Sequence, residues 1–385
     1  MNSSFQQFPL SSQTQSALSK MRFTCPTEVQ NQSIAPALLG KDLFVQAPTG
    51  TGKTAAFGIP LIEKISQEKT LQGLILCPTR ELAMQTSKVL RDLAQCQKGL
   101  KIVAIYGGEN ISRQFSALRG KPQIVVATPG RLLDHMKRKS IRLDHIHTVV
   151  LDEADRMLDM GFRDDLKTIL SQTPENKQTL LFSATMSKEI GNIAREYQNH
   201  PERIVIQARA NASRGHVQQF FAETPEKAKL TILNNVLSQK NYRLSLVFVN
   251  TKAKATELAK RLQKLGFKAA AMHGQMRQFE RDKIMRMYRN KKFDILVATD
   301  VAARGVDIDG IDTVINYDLP LEQENYIHRI GRTGRAEQNG VAYTFTCPHE
   351  RRKLKHIAQR ANIKIQHMPQ QLVGNAPAAS RTKTA

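Results

Sequence analysis

The chain has 385 residues, enough at ~150 residues per domain for two or three hydrophobic cores. Apolar residues make up 41% and charged residues 24%, which excludes a largely disordered chain, and the four cysteines (Cys25, Cys77, Cys96, Cys347) lack the spacing of a zinc ribbon or disulfide scaffold. The 57 Lys and Arg against 34 Asp and Glu give a net charge of +23, which favours a polyanionic partner.

No charge precedes Lys20 and no apolar run follows the start, so neither a signal peptide nor a membrane span is expected, and the location expected is cytoplasmic. Residues 1–207 carry 26 basic and 19 acidic side chains, and residues 208–385 carry 31 and 15, so the excess sits mainly in the second half. The stretch Arg277 to Lys292 holds seven basic residues against two acidic. Such a run is usually a solvated helix face; nucleic acid is the better reading only because the excess is global as well.

Short β-branched runs predict buried parallel strands at Asp42 to Gln46, Leu74 to Pro78, Ile124 to Thr128, Thr148 to Asp152 and Thr179 to Ser183. Helical patterns alternate with them, at Thr54 to Gln67 and Arg80 to Ala94 for example, so an α/β sheet is expected. A polar, aperiodic stretch at 208–218 reads as a linker. The pattern then restarts at Leu244 to Asn250, Ala269 to Met272, Asp294 to Thr299, Thr313 to Asn316 and Val341 to Phe345. Two α/β domains follow, 1–207 and 219–368, with a disordered tail at 369–385.

The first strand runs into Ala47-Pro48-Thr49-Gly50-Thr51-Gly52-Lys53-Thr54 and then a helix, the context a phosphate-binding loop requires. Gly50 and Gly52 let backbone N–H groups curl round phosphates, Lys53 supplies a compact positive charge, and the Thr54 hydroxyl suits Mg²⁺. Asp152-Glu153-Ala154-Asp155 closes the Thr148 run. A carboxylate at the C-terminal end of a parallel strand faces the ligand crevice of such sheets. Asp152 suits Mg²⁺ held through water, and Glu153 suits a group that polarises the attacking water.

Seven motifs then occur in order: APTGTGKT, PTREL (Pro78 to Leu82), TPGR (Thr128 to Arg131), DEAD (Asp152 to Asp155), SAT (Ser183 to Thr185), ATDVAARGVDI (Ala298 to Ile308) and HRIGRTGR (His328 to Arg335). Together they resemble the DEAD-box ATP-dependent RNA helicases of helicase superfamily 2, of bacterial type, from about Phe5 to Phe345. The resemblance implies two tandem RecA-like domains, each a mostly parallel sheet flanked by helices, with ATP and Mg²⁺ as cofactors.

The resemblance also implies roles. Thr27 and Gln30 would hydrogen-bond adenine and Phe5 would stack on it, although Phe5 also reads as a staple under the first helix. Arg22 stands where the family usually has glycine, and Glu28 where a small or apolar residue is common. The nucleotide set is completed by Thr49, Thr51 and Asp307, the last on the ribose. Lys53, Asp152, Glu153, Arg332 and Arg335 form the catalytic set, the two arginines reaching the γ-phosphate from the second domain. Asp155, Ser183, Thr185 and His328 would couple hydrolysis to strand separation. Arg80, Gly107, Gly108, Thr128 and Arg131 would line an RNA face on the first domain, and Asn250, Thr251, Gly274, Gln278, Arg281, Thr299 and Asp300 one on the second. These types suit phosphate and ribose rather than base edges, so single-stranded or short duplex RNA is the expected partner, with little sequence specificity. The expected activity is local RNA unwinding powered by ATP; the alternative is an ATP-gated RNA clamp or annealing chaperone.

Overall fold

The structure is a computed structural model that describes residues 4–48, 50–206, 217–239, 242–276, 278–303, 310–321, 323–334, 340–361 and 363–373. The chain divides into two compact units, Met1–Ala208 and Arg209–Ala385. Each is built on a seven-stranded parallel sheet flanked by helices, the tandem RecA-like architecture.

In the first unit the strands are β1 (Leu43–Gln46), β2 (Gly73–Leu76), β3 (Ile102–Ile105), β4 (Ile124–Ala127), β5 (Thr148–Leu151), β6 (Gln178–Ser183) and β7 (Glu202–Val205). Their spatial order is β3-β4-β2-β5-β6-β1-β7. Successive residues point to opposite faces. Val45, Ile75, Val126 and Phe182 therefore join a core under the helices Lys53–Lys64 and Arg80–Leu93, while Phe44, Leu74, Leu76 and Leu181 join another on the far side. Burial on both faces explains why the inner strands read as continuous apolar runs.

The second unit holds β8 (Val217–Glu223), β9 (Ser245–Phe248), β10 (Ala269–Met272), β11 (Ile295–Ala298), β12 (Thr313–Asn316), β13 (Gly340–Thr346) and β14 (Gln366–His367). Their order is β10-β11-β9-β12-β13-β8-β14. Counted within each unit, the two strand orders are the same.

Four strands escape the sequence pattern. β3 and β7 lie at the two edges of their sheet, β14 has two residues, and β8 carries Gln218 and Gln219 among its apolar positions. β8 also begins at Val217, so the last two positions expected in the linker are paired strand, opposite Gly340 and Val341. The disordered tail expected from residue 369 starts too early. Gln370–Val373 form a helical turn, because Leu372 is buried in the second core and its carbonyl accepts Asn235 Nδ2 at 3.0 Å. Residues 374–385 lie outside the described set.

One buried cation organises the C-terminal edge of the second sheet. Arg329, 1% exposed on the helix Gln323–Ile330, donates through Nε and Nη2 to the two carboxylate oxygens of Asp300, at 2.6 and 2.7 Å. Its Nη1 donates to Asp318 O at 2.7 Å and its Nη2 also reaches Asn250 Oδ1 at 3.1 Å. The loops after β9, β11 and β12 are thus held by a single guanidinium, whose planar fork matches a carboxylate. Removing one partner of such a pair strands a buried charge, so Arg329→Met should lower stability by about 3–5 kcal/mol, and adding Asp300→Asn should restore part of the loss. Urea unfolding of both variants measures this; equal stability of Arg329→Met and the parent would contradict it.

Candidate functional site

Strand order decides which motifs meet. Parallel strands end together, and the register pairs Gln46 with Ser183, Leu181 with Leu151, Leu151 with Leu76, Leu76 with Ala127, and Ala127 with Ile105. The phosphate loop after β1, Ser183 at the end of β6 and Asp152 after β5 are therefore neighbours on one half of the first unit's C-terminal edge. Arg80 after β2, Thr128 after β4 and Gly107 after β3 occupy the other half.

The helix Lys53–Lys64 begins at Gly52, whose φ of 90° is a left-handed value that a side chain would oppose. No side chain caps this helix, whereas the helix Glu28–Leu38 has a full capping box. Uncapped N–H groups at a helix start are a ready anion site. Buried Lys53 donates Nζ to Ala47 O at 3.0 Å, within the loop, and Thr51 Oγ1 donates to Pro48 O at 2.9 Å. Gly50 has φ 81°, and Thr54 is half-buried in the first helical turn.

The start of the helix Glu28–Leu38, which carries Thr27 and Gln30, is joined to this loop. Gln30 Oε1 accepts Thr27 N at 2.9 Å and its Nε2 donates to Gly52 O at 3.1 Å, while Thr27 Oγ1 accepts Gln30 N at 3.4 Å. A Cβ on Gly52 would lie 2.5 Å from Gln30 Nε2, so the glycine is also required for this close approach. Phe5, expected beside adenine, lies in the first unit's core. It is 5% exposed, and its ring packs against Phe8 at 6.4 Å and Phe23 at 6.3 Å between centroids. A ring so enclosed serves the core. Arg22 has φ 58°, which accounts for the glycine usual at that position, and Glu28 lies in the first turn of its helix, where a carboxylate suits the dipole.

Asp152, Glu153 and Asp155 are all buried, yet each is compensated differently. Asp155 Oδ2 accepts Ala184 N at 3.1 Å, Thr185 N at 2.9 Å and Thr185 Oγ1 at 3.1 Å. Ser183 Oγ donates to Thr185 O at 2.8 Å, which completes a link between the ends of β5 and β6. Glu153 Oε2 accepts Arg156 Nη1 at 2.6 Å, and its backbone is held at φ 51°, ψ 51°, a strained region for a non-glycine residue. Asp152 is relieved in a third way, by the backbone N–H of Glu153 and by the charges of Lys53 and Arg156. Burial and the adjacent Glu153 push its carboxyl up to about 7, with Lys53 acting in the opposite direction. A desolvated carboxylate of this kind fits a bound cation. Among the described residues no group of three or more His, Cys, Asp or Glu could hold a metal ion.

On the other half of the edge, Arg80 lies over the Tyr106 ring at 5.0 Å and Gly108 has φ 85°. A Cβ on Gly107 would meet nothing within 4 Å. Arg131 donates to Glu109 O and Gln114 Oε1, both at 3.1 Å, and Thr128 starts an uncapped helix. The second unit repeats the arrangement on the corresponding strands: Asn250 and Thr251 after β9, Gly274 after β10, Thr299 and Asp300 after β11. Thr251 Oγ1 caps the helix Lys252–Lys264, and Arg281 donates Nη2 to Ala302 O at 3.4 Å. Asp300 and Asn250, expected on the RNA face, both accept hydrogen bonds from Arg329 through their side-chain oxygens. Arg332 is buried and donates Nε to His328 O at 3.2 Å. Thr49, Asp307 and Arg335, and the side chain of Gln278, lie outside the described residues.

Two residues that the motifs left without a role emerge here. Arg156 stands at i+3 from Glu153, a helical spacing that could have flagged it. Arg329 sits inside HRIGRTGR, but its partner Asp300 is 29 positions away and no local pattern links them.

Residues 27–193 match the DEAD/DEAH box helicase family model, and residues 228–337 match the helicase conserved C-terminal domain. Among curated relatives, the DEAD-box ATP-dependent RNA helicase CshA of Bacillus subtilis is 45% identical over 377 residues, 98% of this chain and 76% of that protein. The ATP-dependent RNA helicase CshA of Listeria monocytogenes is 46% identical over 363 residues, 94% and 69% of the two chains. Of solved structures, S. cerevisiae Dbp5 bound to RNA and ADP BeF3 aligns with a TM-score of 0.84 at 30% identity, over 95% of each chain. A DEAD box protein from Methanococcus jannaschii aligns at 0.54 with 40% identity, over 95% of this chain and 99% of that one. With motifs, strand-end geometry and relatives in agreement, this chain belongs to the DEAD-box ATP-dependent RNA helicases.

Proposed function

We propose that this chain hydrolyses ATP in response to RNA and uses the cycle to separate short RNA duplexes or remodel RNA–protein complexes. One observation carries the reading: the C-terminal edge of the first sheet gathers a phosphate loop and an acidic cluster on adjacent strands, beside a row of Arg, Thr and Gly residues suited to a phosphate backbone.

In this reading the uncapped N–H groups after Gly52, with Gly50, Thr51 and Lys53, receive the phosphates, and Thr27 and Gln30 address adenine. Thr54 and Asp152 would hold Mg²⁺ through water, the ion supplying charge neutralisation at the phosphates. Glu153 takes a proton from the attacking water. Arg156 acts as a positioning residue, holding the Glu153 carboxylate in one rotamer by a buried, charge-assisted hydrogen bond. Asp155, Ser183 and Thr185 form a preset hydrogen-bonded link through which a change at β5 reaches β6; His328 shares the coupling role, and Arg332 offers guanidinium charge to phosphate. Arg80, Gly107, Gly108, Thr128 and Arg131, with Thr251, Gly274, Arg281 and Thr299, supply the RNA contacts. Asn250 and Asp300 shape that face through Arg329. An ATP-gated clamp or annealing chaperone without turnover would make no use of a strained, buried and specifically oriented Glu153. A cytoplasmic location fits the four free cysteines, and among the described residues no helix is long and apolar enough to cross a membrane.

Glu153→Gln should keep ATP and RNA binding while turnover falls about 10²–10⁴-fold, as loss of a general base does; steady-state phosphate release measures it, and turnover near the parent rate would refute the assignment. Arg156→Met should lower kcat at least about tenfold with KM for ATP little changed, and Arg156→Lys should restore part of it. A rise in KM alone would place Arg156 in binding rather than in positioning Glu153.

A further inference from the structure

The helix Gln278–Arg289 follows β10 and starts at the same strand edge as Gly274. Its inner side is fixed by Tyr288, whose hydroxyl donates to Ser245 O at 2.9 Å, with Ile284 and Met285 packed on the same core. At ~100° per residue, Phe279, Lys283 and Arg286 fall within about 60° of one another on the opposite side. All three are exposed, and Phe279 keeps 63% of its surface in water.

A ring of that size in solvent is unfavourable, and here it is followed by Lys283 and Arg286 in the stretch Arg277 to Lys292, which holds seven basic residues against two acidic. Aromatic faces accept stacked bases of any identity, and lysine and arginine accept phosphates, so a ring followed by cations along one line matches a single strand. An acidic peptide would use the cations but not the ring in this way. Arg286 stands seven residues beyond Phe279, about 10 Å along the helix axis.

We propose that Phe279, Lys283 and Arg286 bind the single-stranded RNA that leaves the second unit's RNA face, Phe279 stacking on one base and the two cations meeting phosphates beyond it. The inference rests on the RNA reading above and adds a contact outside the residues assigned there. It makes the footprint longer than the motif residues alone define.

The chain contains no tryptophan, so Phe279→Trp places a single indole at the proposed contact. The test uses full-length protein with ADP BeF3 and two oligouridylates, of about 6 and about 20 nucleotides, which bracket the extent of a single-strand site. Phe279→Ala should weaken the long oligonucleotide about five- to twentyfold and the short one less than about twofold. Lys283→Ala with Arg286→Ala should reduce the salt slope for the long oligonucleotide by about 1.4, at ~0.7 per phosphate. Indole emission in Phe279→Trp should change saturably with the long RNA. Parent-like binding of both lengths by Phe279→Ala, equal weakening of both, or an indole indifferent to saturating RNA would each overturn the proposal. If the parent protein binds neither RNA, the RNA reading itself fails and this inference falls with it.

Discussion

Compensating buried negative charge is the constraint on which the first unit's site depends. Three carboxylates crowd into four buried positions after β5, where the sheet's ladder ends. Asp155 is neutralised by N–H and O–H donors from the strand beside it, and Glu153 by Arg156. Burial and the neighbouring Glu153 push Asp152 up to about 7, against the attraction of Lys53, the backbone N–H of Glu153 and Arg156. The same four residues therefore hold three carboxylates in three different environments, which suit the three roles proposed for them. Three roles follow from three environments rather than from three residue types.

The repeated strand order gives the second half of the argument. Both sheets place glycine, hydroxyl and cationic residues after the same three strands, β2–β4 in one unit and β9–β11 in the other. Only the first unit carries a phosphate loop, on β1; its counterpart β8 follows the residues outside the described set and leads into Thr224 and Pro225. In the second unit Arg329 binds three loops together without exposing its charge. A shared backbone plan thus carries the nucleotide face proposed above once and the proposed RNA face twice.

What the sequence disclosed follows the range of the forces involved. Strands buried on both faces, such as Gly73–Leu76 and Thr313–Asn316, announce themselves by unbroken apolar runs, while the edge strand Glu202–Val205, with half-buried Glu202 and exposed Arg203, does not. The phosphate loop is legible because its glycines, lysine and following helix are contiguous. Contacts between distant positions are not. Nothing local says that Arg329 meets Asp300, or that Gln30 closes on Gly52, and Phe5 was ambiguous until its burial beside Phe8 and Phe23 placed it in the core. Chemistry was readable where it is written along the chain; its arrangement required the fold.

The most direct measurement of the whole account is phosphate release by the intact protein with saturating ATP, with and without single-stranded RNA. The account predicts slow turnover by the protein alone and a rate raised many-fold by RNA, with strand separation of a short duplex only while ATP is being consumed. Turnover that is the same with and without RNA would contradict it.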